Sequence, residues 1–213
     1  MYVKVCGITH LDDALSAIAA GVDVLGFNFV PQSKRRVAPE AARAIMAHVR
    51  GRVLTVAVVA DLPTREALDL LTATGADRLQ LHGDESAETV LGFGTSAFKA
   101  LRVGSAQDIE LARSFPGHPF LVDAKVEGQL GGTGRCIDWP LVVPLARSRA
   151  LILAGGLTPE NVAEAVRLVQ PWGVDTASGV DLATDPRRKD AERMRRFVEA
   201  ARGAASAGHA LPF

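Results

Sequence analysis

The sequence predicts a closed (β/α)8 barrel, a parallel eight-stranded α/β domain of the TIM type. Three observations carry that reading. Short β-branched runs alternate almost end to end with longer stretches whose apolar residues fall at helical spacing, the pattern of βαβ units around a parallel sheet. There are eight such runs. Their polar or glycine ends, Cys6, Asn28, Asp61, His82, Arg102, Asp123, Gly155 and Ser178, recur at intervals of 22, 33, 21, 20, 21, 32 and 23 residues. The length of 213 residues suits eight minimal βα units, since such barrels start near 200 residues and about 250 is typical. A doubly wound open sheet is the alternative, but no G-x-G-x-x-G follows the first run.

In chain order, strands are expected at residues 2–6, 23–29, 54–60, 78–82, 97–103, 120–123, 150–154 and 173–177. Helix starts are signalled by Thr9-His-Leu-Asp12, by Thr64 ahead of Arg65-Glu66, and by Thr158-Pro159-Glu160, with threonine as cap and proline at the first helical position. No linker or low-complexity tract divides the chain, so residues 1–202 read as one barrel domain and residues 203–213 as a frayed tail.

Composition excludes several classes. With 24 Lys+Arg against 24 Asp+Glu and the signs interspersed, no basic face marks the chain for nucleic acid or an anionic membrane. No apolar stretch approaches the roughly 18 residues of a membrane span, and no charged-then-apolar leader opens the chain. Cys6 and Cys136 are too few for a disulfide framework and form no C-x-x-C pair, so a reducing, cytoplasmic compartment is the simplest expectation. Histidines 10, 48, 82, 118 and 209 are scattered without metal-ligand spacing, and neither metal nor cofactor is expected. The sequence leaves open whether the protein is a monomer or a homodimer.

Barrel strands deliver their carboxyl ends to one face, so the eight polar ends are expected to ring one concave site. Lys4 and Cys6, two apart on the first strand, share a face and are placed inward, with Val3 and Val5 toward the helices. Cys6 reads as a small buried residue or as a base or nucleophile; with a reference pKa near 8.5 roughly 3% is thiolate at pH 7, a share that the Lys4 ammonium would raise. Asp123 reads as a loop anchor or as the acid complementing that base, provided burial or a neighbouring negative charge such as Asp175 holds its proton. Gly155-Gly156 and Ser178-Gly179 follow the last two strands, where glycine turns of a barrel cradle phosphate. Gly131-Gly-Thr-Gly134 reads as a loop that closes over a ligand. Arg35, in Ser33-Lys34-Arg35-Arg36, is suited to a bidentate grip on a carboxylate. His82, with Gln80 on the same face of its strand, orients a substrate hydroxyl or is a satisfied structural histidine.

These residues together resemble the phosphoribosylanthranilate isomerase family of tryptophan biosynthesis. The resemblance runs through Lys4-Val-Cys-Gly-Ile-Thr9, Gly26-Phe-Asn-Phe29, Gln80-Leu-His-Gly83, Leu121-Val-Asp123, Gly131-Gly-Thr-Gly134, Gly155-Gly-Leu157 with Pro159-Glu-Asn161-Val162, and Val174-Asp175 before Ser178-Gly179-Val180. It implies an Amadori rearrangement of N-(5-phosphoribosyl)anthranilate, with Asp123 as general acid toward the ring oxygen and Cys6 as general base toward the C2′ proton. It further implies that Arg35 holds the anthranilate carboxylate and that the loops at Gly155-Gly156 and Ser178-Gly179 hold the phosphate. Lys4, Gln80, His82 and Asp175 complete the expected substrate-binding set, and the partner is a small phosphorylated molecule. Two positions depart from the family pattern: Val56-Ala-Val-Val-Ala-Asp61 replaces a glycine- and phenylalanine-bearing third strand, and Asp181 stands where glutamate is usual. The competing readings are an aldose-ketose isomerase with two aspartates as acid and base, which Cys6 argues against, and a non-catalytic barrel that binds a phosphorylated metabolite.

Overall fold

A computed structural model of the chain describes residues 1–124 and 138–205. Among the described residues, β1 (Tyr2–Cys6), β2 (Val24–Asn28), β3 (Leu54–Val59), β4 (Arg78–Leu81), β5 (Ala97–Val103), β6 (Phe120–Ala124), β7 (Leu151–Leu153) and β8 (Gly173–Thr176) pair in sequence order and close into a barrel. Every pairing is parallel, and β8 returns to β1 with Lys4 opposite Asp175. The outer ring comprises α1 (Leu11–Ala19), α2 (Pro39–Val49), α3 (Thr64–Thr74), α4 (Ala87–Gly92), α5 (Ala106–Ser114), α6 (Trp139–Ser148), α7 (Val162–Val169) and α8 (Ala191–Ala204). The barrel expected from the sequence is the barrel observed.

Strand alternation splits the core into two layers. Val3, Val5, Leu25, Phe27, Leu79, Leu81, Phe120 and Val122 face the helices, whereas Cys6, Val24, Val56, Val58, Phe98, Leu121 and Ile152 fill the barrel. Tyr2 stacks on Trp172 with ring centroids 4.5 Å apart and packs against this inner cluster near the amino ends of β1 and β8. Apolar filling low in the barrel leaves the upper ends of the strands for polar groups. On the outside, α8 buries Met194, Phe197, Val198 and Ala201, a stripe at helical spacing, and its start is capped by Asp190, whose carboxylate accepts from Arg193 N at 3.0 Å.

The expected helix starts need revision. Thr64 is the first helical residue of α3 rather than its cap, and His10 precedes α1 without a side-chain cap. The last signal is displaced furthest: α7 begins at Val162, because Thr158–Asn161 forms a separate turn. There Asn161 Oδ1 accepts from Thr158 N at 2.8 Å and Thr158 Oγ1 accepts from Glu160 N at 3.2 Å, so these side chains satisfy the turn instead of the helix. An antiparallel hairpin, β9 (Asp181–Leu182) and β10 (Asp185–Lys189), follows β8 and was not foreseen. α8 runs through Gly203 to Ala204, and residues 206–213 lie outside the described residues. Among the described residues no helix is long and apolar enough to cross a membrane.

Candidate active site

The carboxyl ends of the strands enclose a cavity of about 450 Å³, within the range of small-molecule sites. Of the eight strand-end residues expected to ring it, Cys6, Asn28, His82, Asp123, Gly155 and Ser178 line it. Asp61 and Arg102 turn instead toward the loop after β4: Asp61 Oδ1 accepts from Asp84 N at 2.6 Å, and Arg102 pairs with the Asp84 carboxylate. That loop is also held from outside the barrel. Lys99 Nζ, nearly fully buried, donates to Glu85 Oε2 at 2.9 Å and to the Gly83 carbonyl at 2.6 Å, while Glu85 accepts from the backbone N–H groups of Gly83 and Asp61.

Cys6 ends β1 with its side chain inside the barrel, 8% exposed. Lys4 does not reach the cavity surface. It lies beneath, fully buried, with Nζ 2.9 Å from Asp175 Oδ2. Burial alone would pull the ammonium down, but Asp175 and Cys6 hold the Lys4 pKa above its ordinary value. Burial pushes the Cys6 thiol up, with Lys4 pulling the other way but not prevailing. Nearby Lys4 was expected to enrich the thiolate; in the free protein desolvation outweighs it. Asp175 is likewise pushed up by burial against the pull of Lys4, and Asp123 and His82 lie close enough to act on it.

Asp123 stands near the end of β6 facing the same cavity as Cys6, with Oδ1 accepting from Ala124 N at 2.8 Å. His82 Nε2 is 3.4 Å from Asp123 Oδ2, and His82 Nδ1 is 2.9 Å from Gln80 Nε2. Gln80 Oε1, His82 Nε2 and Asp175 Oδ1 are buried at the cavity floor without a hydrogen-bond partner among the described residues, the 3.4 Å approach of Asp123 Oδ2 to His82 Nε2 being an ion-pair contact only. The two glycines after β7 take φ values of +86° and +67°. At Gly155 a β-carbon would stand 2.7 Å from Ala124 N and 3.2 Å from Asp123 Oδ1, so only glycine lets this loop cross above Asp123. Gly156 and Ser178 line the rim beside it, whereas Gly179 is not among the lining residues, its carbonyl accepting from Arg193 Nε at 3.0 Å.

Arg35 also lines the cavity, and its guanidinium is already engaged: Nε lies 3.0 Å from Asp181 Oδ2, and Nη2 donates to the same oxygen. Lys189 Nζ reaches Asp181 Oδ1 at 2.7 Å. Sequence reading missed Lys189 as a neighbour of the site; it sits in a charged run, Arg187-Arg-Lys189, of the kind that ordinarily reads as solvated surface. The expected glycine loop Gly131–Gly134 and Cys136 lie outside the described residues. Among the described residues no group of three His, Cys, Asp or Glu side chains is arranged to hold a metal ion. The arrangement offers a thiol and a carboxyl facing one cavity, a glycine-lined rim and a cation.

Comparison with known proteins places these features in a wider set. A family model described as N-(5′-phosphoribosyl)anthranilate (PRA) isomerase matches residues 3–200. An N-(5′-phosphoribosyl)anthranilate isomerase of Desulforudis audaxviator is 43% identical over 204 residues, covering 95% of this chain and 98% of its own. The crystal structure of phosphoribosyl anthranilate isomerase from Thermotoga maritima superposes with a TM-score of 0.88 at 37% identity, over 95% of this chain and 99% of that one. Another solved isomerase, in complex with reduced 1-(o-carboxyphenylamino)-1-deoxyribulose 5-phosphate, gives a TM-score of 0.85 at 35% identity, over 95% of this chain and 99% of that one.

Proposed function

The chain belongs to the N-(5′-phosphoribosyl)anthranilate isomerase family, and from that premise we propose that it converts N-(5-phosphoribosyl)anthranilate to 1-(2-carboxyphenylamino)-1-deoxyribulose 5-phosphate, a step of tryptophan biosynthesis, by acid-base catalysis. Asp123 gives its proton to the furanose ring oxygen as the C1′–O bond breaks, and the anthranilate nitrogen lone pair forms the iminium. Cys6 as thiolate removes the C2′ proton, the C–H electron pair forms the C1′–C2′ double bond of the enolamine, and the iminium nitrogen is neutralised. Tautomerisation then gives the ketone at C2′ and the amine at C1′. C2′ is oxidised and C1′ reduced within one molecule, so no external redox partner is consumed.

The observation that carries this reading is that Cys6 and Asp123, on β1 and β6, face the same cavity across the barrel, above the buried Lys4–Asp175 pair. In our reading Arg35 takes the anthranilate carboxylate, the rim at Gly156 and Ser178 takes the phosphate, and Gln80, His82 and Asp175 offer their unpartnered atoms to the ribose hydroxyls. Lys4 acts from below on Cys6 and Asp175 rather than on substrate. A catalytic thiol has to stay reduced, which fits a cytoplasmic enzyme. The test is to generate the labile substrate in situ and follow the loss of its fluorescence: acceleration by the protein is expected, and no acceleration overturns the proposal in favour of a barrel that only binds a phosphorylated metabolite.

A further inference from the structure

Arg35 is held in place by more than its own loop. Its stem lies across Gly7, the residue after Cys6: a β-carbon at Gly7 would fall 2.3 Å from Arg35 Cδ, and φ there is +82°. At the far end, Asp181 takes the side edge of the guanidinium, Nε and Nη2, leaving the Nη1–Nη2 edge; Nη1 has no protein partner among the described residues. Both side chains are largely buried, 11% and 9% exposed. Asp181 is in turn fixed by Lys189, whose fully buried Nζ also donates to the Ala177 carbonyl at 3.0 Å. The hairpin carrying both residues is pinned to α1, where Asp13 accepts from Lys189 N at 3.1 Å and pairs with Arg188. Two cations and one anion leave the cluster with a net positive charge. It is therefore suited to receive a further carboxylate.

We propose that Asp181, braced by Lys189, is a positioning residue that aims the free edge of Arg35 at the aryl carboxylate of the substrate; this deepens the proposed function and rests on Arg35 as that carboxylate's partner. Asp181 touches no reacting atom. It fixes a long side chain in advance, so that binding does not have to order it.

The experiment measures, by calorimetry, the affinity for reduced 1-(o-carboxyphenylamino)-1-deoxyribulose 5-phosphate and for its phenylamino counterpart lacking the carboxyl group. Arg35→Ala should weaken only the carboxylated ligand; equal effects on both, or none, overturn the reading of Arg35 itself. With that reading intact, Asp181→Ala should weaken the carboxylated ligand about 10-fold and leave the other unchanged, the scale of one unordered side chain, and should raise KM more than it lowers kcat. The isosteric Asp181→Asn, which keeps one acceptor, should show a smaller loss of the same kind, and Asp181→Ala should add nothing in the Arg35→Ala background. Equal weakening of both ligands makes Asp181 merely structural. Tighter binding of the carboxylated ligand makes it a competitor of the substrate. Either result overturns the proposal.

Discussion

Replacing Lys4 by methionine tests how the cavity floor governs its thiol. The position a β-carbon would take at Gly26 lies 2.9 Å from Cys6 Sγ and 3.1 Å from Lys4 Nζ, so sulfur and ammonium are at most about 6 Å apart. At an effective dielectric of about 20, unit charges about 6 Å apart interact by roughly 3 kcal/mol, or about two pKa units. Burial already lifts the thiol, and Lys4 is the largest influence opposing that lift. Without the ammonium, the Cys6 pKa should rise by about two units, and the thiolate fraction below that pKa should fall about 100-fold. Asp175, losing its partner while buried, is expected to take up a proton, which removes its weaker repulsion of the thiolate and offsets part of that rise. The titration is read from thiolate ultraviolet absorbance in a Cys136→Ser background, with kcat/KM followed over the same pH range. Breaking a buried pair costs about 3–5 kcal/mol, so a urea melt of each variant confirms that the measurements are made on folded protein. An unchanged or lowered Cys6 pKa in folded Lys4→Met refutes the electrostatic argument.

Other outcomes follow from the same geometry. Cys6→Ala and Asp123→Asn should each reduce turnover by at least about 100-fold with circular dichroism unchanged, and near-normal turnover in either sinks the assigned roles. Because burial outweighs the pull of Lys4, the Cys6 thiol of the free protein, titrated by thiolate ultraviolet absorbance in a Cys136→Ser background, should ionise above the ordinary thiol range; ionisation below that range contradicts this balance. Lys99→Met leaves Glu85 buried without its cation and should lower unfolding free energy by about 3–5 kcal/mol in a urea titration, whereas a change under about 1 kcal/mol contradicts the view that this pair holds the loop after β4.

Much of the barrel was legible because its signal is local. β1 and β5 begin and end where β-branched runs predict, and the inward placement of Lys4 and Cys6 follows from the two-residue period of any strand. The helix starts were less legible: Thr158 and Asn161 carry capping chemistry, and the fold spends it on a turn. Least legible were the charge pairs. Lys4 and Asp175 are 171 residues apart, and Arg35 and Asp181 are 146 apart, so no periodicity within a window reports that they meet. The β9–β10 hairpin was hidden for a related reason: β9 is two residues long and β10 reads Asp-Pro-Arg-Arg-Lys, a composition that predicts solvent. Closure of β8 onto β1 and docking of the hairpin onto α1 supply partners that the local sequence does not contain.

The buried charges also locate the function more firmly than any single motif. Lys4, Asp175 and Lys189 are nearly or fully buried, and an apolar filling of similar volume is often at least as stable as a buried ion pair. Stability therefore does not account for them. What they share is Cys6: Lys4 and Lys189 both favour its anion, and Asp175 opposes it. The thiol is thus set between a desolvation that keeps it protonated and two cations that make its ionisation reachable. A thiol placed this way stays protonated in the free protein and still has a nearby cation to stabilise its thiolate, as the proposed role toward the C2′ proton requires. The lower barrel, filled by Val24, Val56, Phe98, Leu121 and Ile152, follows the ordinary rule of apolar packing. Lys4, Asp175 and Lys189 depart from that rule around Cys6, the thiol proposed as the base.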